Sequence, residues 1–206
     1  MAVYAIAIIP LILTLINYMK QDETNTGTVG YADDIGAAGK ILALKKWWDK
    51  MCELGPKFGY YSEGSKSWLI VKSDQLSIAR EIFKDTGINI TAEGRRYLGS
   101  VIGTNEFIST YIDEKIDETI KEIQTLSEIA SYEPQAAYCA FLHGLKHKIT
   151  FLLRTTPNIS SNLKRLDDYI DEIFIPAITG GKRVSELERQ LLALPPNPKT
   201  PKPQNP

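Results

Sequence analysis

Residues 27–40, GTVGYADDIGAAGK, leave the chain few ways to fold. A short β-prone run, TVGYA, meets two adjacent acids and then a small, glycine-rich stretch. β-Branched and aromatic residues favour a strand, and Asp favours the turn that ends it. The return begins at Ile35, so the segment is read as a tight hairpin with Asp33 and Asp34 at its tip. Two like charges this close repel unless something positive neutralises them. A hard divalent cation with a preference for oxygen ligands answers that need, and plain turn formation by Asp is the alternative.

The sequence around the hairpin is of mixed character. Residues 1–19 are uncharged. Their length reaches that of a membrane span, but Pro10 interrupts the run, so a buried helix is preferred and a membrane anchor disfavoured. Downstream of the hairpin a helix is read from Ala37 to Leu54, where Ile41, Leu44, Trp48, Met51 and Cys52 recur at helical spacing, closed by Gly55-Pro56. Residues 58–64 read as a strand and turn, 67–72 as a continuous apolar strand, and Ser73 as the N-cap of a short helix carrying Leu76, Ala79 and Phe83. Residues 88–103 read as two short strands around a Glu93-Gly94 turn.

Near residue 105 the pattern becomes helical. Phe107, Tyr111 or Ile112, Ile116, Ile120, Ile123 and Leu126 form one stripe. Pro134 opens a second helix with Ala137, Phe141, Leu145, Ile149 and Leu152. A third carries Leu163, Leu166, Ile170 and Phe174, and a short fourth is expected over 184–194. Residues 195–206 are proline-rich and read as a disordered tail. The expected class is therefore α+β, a small antiparallel sheet with helices over 1–104 followed by an all-helical region over 105–194.

With 43% hydrophobic and 24% charged residues the chain has enough apolar content for ordinary cores. A net charge of −1 excludes nucleic-acid binding by bulk charge and leaves only local contacts. Two cysteines, Cys52 and Cys139, give no zinc signature and fit an intracellular setting, cytoplasm or nucleus. His143 and His147 share a helix face but lack the acids a zinc site would need. Lys146, Lys148 and Arg154 lie close by and could meet duplex phosphates, as could Arg95 and Arg96, although solvated surface is the simpler account of both groups. Trp47 and Trp48 are adjacent on the first helix after the hairpin, so at least one faces a core.

Four stretches in order resemble the catalytic part of reverse transcriptases of the retroelement type. VYAIAIIPLI (3–12) is similar to the helix after that family's Gly-Asp-Pro nucleotide-pocket loop, and GYADDIGAAG to its metal-binding palm hairpin. FGYYSEGSKSWLIVK (58–72) is similar to the following motif with its Lys, and RRYLGSVIG (95–103) to the Tyr-Leu-Gly primer grip. PQAAYCAFLHGL and IPAITG are similar to a helical extension found in one retroelement group. The resemblance spans most of 3–194 and implies a partial polymerase palm followed by a thumb-like helical region.

It further implies roles. Asp33 would ligate Mg²⁺ (or Mn²⁺), and Asp34 would support the metal or the primer end. Tyr31 and Ala32 would line the primer terminus and the incoming dNTP. Lys66 would neutralise the leaving pyrophosphate, and Tyr97, Leu98 and Gly99 would grip the primer. The partners implied are an RNA template and a DNA primer. The family also uses an Asp on a strand upstream of the pocket helix, and this sequence opens inside that helix. The expectation is a chain lacking the fingers and the first palm half, inactive alone as an RNA-directed DNA polymerase. The other expectations are a non-catalytic nucleic-acid-binding remnant and, less favoured, a membrane-anchored protein using residues 1–19.

Overall fold

The computed structural model describes residues 2–21, 26–32, 34–181 and 185. Asp33, most of the helix expected over 184–194 and the 195–206 tail lie outside the described residues. The fold is mixed α+β, mostly helical with small sheets. It divides into two units, residues 1–96 with 102–104 and residues 97–101 with 105–206.

In the first unit, α1 (Ala2–Gln21) runs through Pro10 as one helix. It buries Ile8, Leu11, Leu15 and Met19, spaced three and four apart, on a single face. Strands β1 (Gly27–Tyr31) and β2 (Asp34–Ala38) pair antiparallel, Thr28 opposite Ala37 and Tyr31 opposite Asp34. Helix α2 (Ile41–Leu54) follows. It starts at Ile41 and not at the expected Ala37, because residues 34–38 are used by β2.

Two faces of α2 are occupied. Ala43, Trp47 and Met51 join Leu11, Leu15 and Met19 of α1 in one core. Ile41 and Leu44 pack on a second core around Leu69, Ala79 and Phe83, and Trp48 touches both. Cys52, expected on the apolar face, is exposed.

The strand expected over 58–64 does not form. The chain makes a 3₁₀ turn (Gly55–Phe58) and folds back, Tyr60 N–H donating to Gly55 O at 2.9 Å, with Gly59 left-handed at φ 75°. A second 3₁₀ turn spans Gly64–Lys66. Ser73 begins a third 3₁₀ turn rather than capping α3 (Leu76–Ile82), and no side-chain cap bond forms at either.

The strands also differ from a single antiparallel sheet. Among the described residues there are three two-stranded pairs. β3 (Trp68–Ile70) and β4 (Asn89–Thr91) are parallel, linked through α3. Asn89 anchors this pairing by donating from Nδ2 to Ser65 O at 2.7 Å and Ser67 O at 3.2 Å. β5 (Gly94–Tyr97) and β6 (Ser100–Gly103) form the third pair, so the hairpin turns at Leu98-Gly99 and not at Glu93-Gly94. Gly103 fixes this arrangement: a Cβ there would sit 2.3 Å from Glu93 O, so only glycine lets the two backbones approach.

The second unit is built on α4 (Asn105–Ala130), which buries Tyr111, Ile112, Ile116, Thr119, Ile123 and Ala130. Thr119 satisfies its hydroxyl by donating to Lys115 O at 2.8 Å. Opposite lies one rod made of α5 (Pro134–Ala140), a π turn (Phe141–Leu145) and α6 (Lys146–Thr155). The π turn has a clear cause. At about 100° per residue, the stripe Ala137, Phe141, Leu145, Ile149 would drift about 120° around a pure α-helix. One inserted residue brings it back to within about 20° of its start. α7 (Ser160–Tyr169), a second π turn (Ile170–Phe174) and α8 (Ile175–Ile178) complete the unit. The two π turns meet where the Phe141 and Phe174 rings approach to 4.8 Å between centroids. Ion pairs Lys148–Glu122 (2.7 Å) and Arg165–Asp117 tie the outer faces to α4.

On α7, burial first, and then Asp171 and Asp168, push the Asp167 carboxyl above the ordinary carboxylate range. A raised folded-state pKa means the folded chain holds the proton more tightly than the unfolded one. Stability from this group is thus greatest at low pH and declines as pH rises from the ordinary to the raised value. Asp167→Asn should raise Tm at pH 7 by roughly 2 °C, the group being largely solvated. At pH 3 it should change nothing, and thermal melts at the two pH values check both.

Candidate functional site

The β1–β2 hairpin presents two different faces. Thr28, Gly30, Ile35 and Ala37 share the inner face by register and alternation. Ile35 and Ala37 pack on the α1/α2 core, and Trp47 Nε1 donates to Thr28 Oγ1 at 3.1 Å. Buried Trp47 therefore both fills the core and fixes the first strand. The outer face carries Val29, Tyr31, Asp34 and Gly36, with Tyr31 directly across from Asp34. Tyr31 is 67% exposed and Asp34 is exposed.

Only two residues separate the paired Tyr31 and Asp34. Loops this short require positive φ, which is why Asn-Gly and similar pairs dominate them. Ala32 adopts φ 53° without that advantage, at about 1–2 kcal/mol. Among the described residues no cation pairs with Asp34. An exposed, uncompensated carboxylate on a stiff bend is a suitable oxygen donor for a hard cation. No group of three or more His, Cys, Asp or Glu able to hold a metal is present among the described residues, which do not include Asp33.

Lys66 belongs to the same unit but ends a different element, the 3₁₀ turn at 64–66. Its ammonium pairs with Glu63 at 2.6 Å, and that hydrogen bond raises its pKa. Lys66, and then Ser65 donating at 2.8 Å, hold Glu63 below the usual carboxylate range. Its preformed partner lies three residues upstream, a spacing legible in the sequence.

Tyr97, Leu98 and Gly99 form the tip of the β5–β6 hairpin and belong to the second unit. Leu98 has φ 49° and Gly99 φ 77°, again a two-residue loop with a non-glycine residue in the left-handed region. The tip is tied to the helices. Tyr111 OH donates to Gly99 O at 3.1 Å, and the Ser100 and Thr156 hydroxyls meet at 3.3 Å. Phe151 lies against Gly99. These buttresses were not singled out from sequence; a Tyr inside an Ile stripe, at 111, was the available signal.

The other candidates divide plainly. Trp48 is half-buried between two cores, so both tryptophans of the pair serve packing. His143 and His147 are exposed. Arg95 lays its guanidinium over the Trp68 ring, 4.2 Å from the centroid. No described helix is long and apolar enough to cross a membrane. Compared with known proteins, the chain matches no family model, no curated protein and no solved structure.

The backbone at the two tips yields a paired prediction. Gly99→Ala forces a side chain into φ 77° and should cost about 1–2 kcal/mol. Ala32→Gly relieves the equivalent strain and should not lower stability. Urea unfolding of both variants reads the difference.

Proposed function

We propose that this chain supplies the metal-binding hairpin and the primer-facing helices of a reverse-transcriptase-type nucleotidyltransferase. The carrying observation is Asp34, exposed and without a paired cation among the described residues, beside Tyr31 on the outer face of a two-residue hairpin and next in sequence to a second Asp. On this reading Asp33 and Asp34 hold Mg²⁺ or Mn²⁺. The bound ion would offset phosphate charge and favour ionisation of an attacking hydroxyl.

The chain's own residues would do the rest. Tyr31 and Ala32 flank the place of the primer end and incoming dNTP, where the small Ala32 and Gly36 let a nucleic-acid backbone pass closely. Lys66, paired with Glu63, would be available to a leaving pyrophosphate once it exchanges partners. Tyr97, Leu98 and Gly99 would position the primer strand. Two-metal transfer needs a further carboxylate besides Asp33 and Asp34.

A specific observation favours a second reading, a non-catalytic nucleic-acid binder. Residues 134–155 contain no Asp or Glu, yet they include Lys146 and Arg154, besides the Lys148 already paired with Glu122, and expose Phe151 and Leu153. α4 beside them is rich in acids. Such a basic, partly aromatic rod suits a phosphate backbone without any metal.

Titration of Mn²⁺ into the ¹⁵N-labelled chain separates the two. At about 0.1–1 mM Mn²⁺, amide signals of residues 31–35 should broaden first, and Asp33→Asn with Asp34→Asn should abolish this. Absence of selective broadening overturns the polymerase reading. Salt-dependent binding of an RNA–DNA hybrid in that case would leave the second reading in place.

A further inference from the structure

We infer that the first unit carries a separate seat for one unpaired nucleotide, between the Trp68 face of β3 and strand β6. The inference deepens the nucleic-acid reading above and does not depend on a metal at the hairpin. β3 is short, and its side chains alternate: Leu69 is buried at 8% exposure, while Trp68 and Ile70 face the other way. Trp68 is left 43% exposed, unusual for the largest side chain in the unit's sheets. Arg95 covers one side of its ring, and the guanidinium plane can in turn stack on a base.

Two residues along the same face, Ile70 helps to line an open cavity of about 380 Å³ with Val71, Lys72, Ile102, Gly103 and Thr104. Ile70, Val71, Ala92 and Ile102, the last 51% exposed, give it apolar lining, and Lys72 supplies a charge. The volume lies within the range of small-ligand sites. Neither Lys72 nor Arg95 is paired with a carboxylate among the described residues, in contrast to Lys66 and Lys84. The acids nearest in sequence are Asp74, engaged by Gln75 Nε2 at 3.3 Å, and Glu93.

Apolar lining, the Arg95–Trp68 stack and two cations without a carboxylate partner among the described residues together fit a planar anionic ligand. A duplex hides its base faces, so the occupant is a single strand: its base rests on Ile70, Ile102 and the Arg95 plane, and its phosphate meets Lys72. Stacking of this kind accepts any base.

The test uses a twelve-nucleotide oligodeoxythymidylate with the full chain at about 50 mM salt. The oligonucleotide should quench tryptophan fluorescence, and Trp68→Phe should remove the quench, since Trp47 is buried and Trp48 is half-buried. Lys72→Gln and Arg95→Gln should each weaken binding about five- to tenfold and reduce the salt slope by about 0.7. Lys84→Gln, which removes a charge elsewhere on the unit, should leave binding unchanged. Absence of quenching, or Lys72→Gln and Arg95→Gln variants that bind like the parent, overturns the inference. Selective Mn²⁺ broadening at 31–35 alongside that result would leave the polymerase reading standing. Strand binding that depends on Lys72 and Arg95, without Mn²⁺ broadening, would sustain the nucleotide seat and remove the polymerase reading.

Discussion

α2 buries two faces at once, and the first unit is organised by that constraint. A two-stranded hairpin has too little apolar surface to hold itself together in water. Here it is held from behind, by Ile35 and Ala37 packed on the α1/α2 core and by Trp47 bonded to Thr28. The opposite side of α2 supports β3, α3 and β4 through Ile41 and Leu44. Trp48 touches both cores, so small changes there act on the hairpin and on the parallel pair together. Removing a buried side chain such as Met51 would cost about 2–5 kcal/mol. That exceeds anything the exposed ion pairs of the unit contribute, which is near 0–1 kcal/mol each. The position of Asp34 is therefore a consequence of helix packing and not of local charge.

The second unit solves an analogous problem differently. Its hairpin tip is fixed by the hydrogen bond from Tyr111, by the Ser100–Thr156 hydroxyl pair and by contact with Phe151, and the helices it leans on are held to one face by π turns. Pro176 is the second residue after the second π turn. A proline there lacks its N–H and crowds the preceding carbonyls, so a widened turn just before it is the low-energy arrangement.

Much of this was legible locally. The β1–β2 bend follows from TVGYA and the twin acids, and the α4 stripe from isoleucines at helical spacing. What escaped was set by contacts far apart in sequence. Asn89 pairs β4 with β3 by bonding to carbonyls at 65 and 67, and Gly103 draws β6 against Glu93. Neither residue announces this in its own neighbourhood. Those two contacts moved the second turn from Glu93-Gly94 to Leu98-Gly99. Residues 58–64, rich in Tyr, have the composition of a strand, but Pro56 and the left-handed Gly59 fold the chain back before a strand can start. At the candidate site, the Tyr31–Asp34 pairing was implicit in the hairpin. The stack of Arg95 on Trp68 required the tertiary fold.

Where the chain breaks local rules is informative in itself. Among the described residues, three that are not glycine have positive φ: Ala32, Leu98 and Asn158. Asn tolerates that conformation, and Asn158 lies in the connection between α6 and α7, where it needs no further account. Ala32 and Leu98 do not tolerate it, and each sits in a two-residue hairpin loop where Asn or Gly would be at no disadvantage. Strain that a simple substitution would remove persists only when the surroundings impose it or the side chain serves some purpose. Glycine at 32 would loosen the bend that carries the acid pair, and a small polar residue at 98 would remove an apolar tip that is 38% exposed. The two strained turns are also the two turns with proposed contacts to a growing nucleic-acid strand. Stiffness at those tips, not stability of the hairpins, is the property that this arrangement favours.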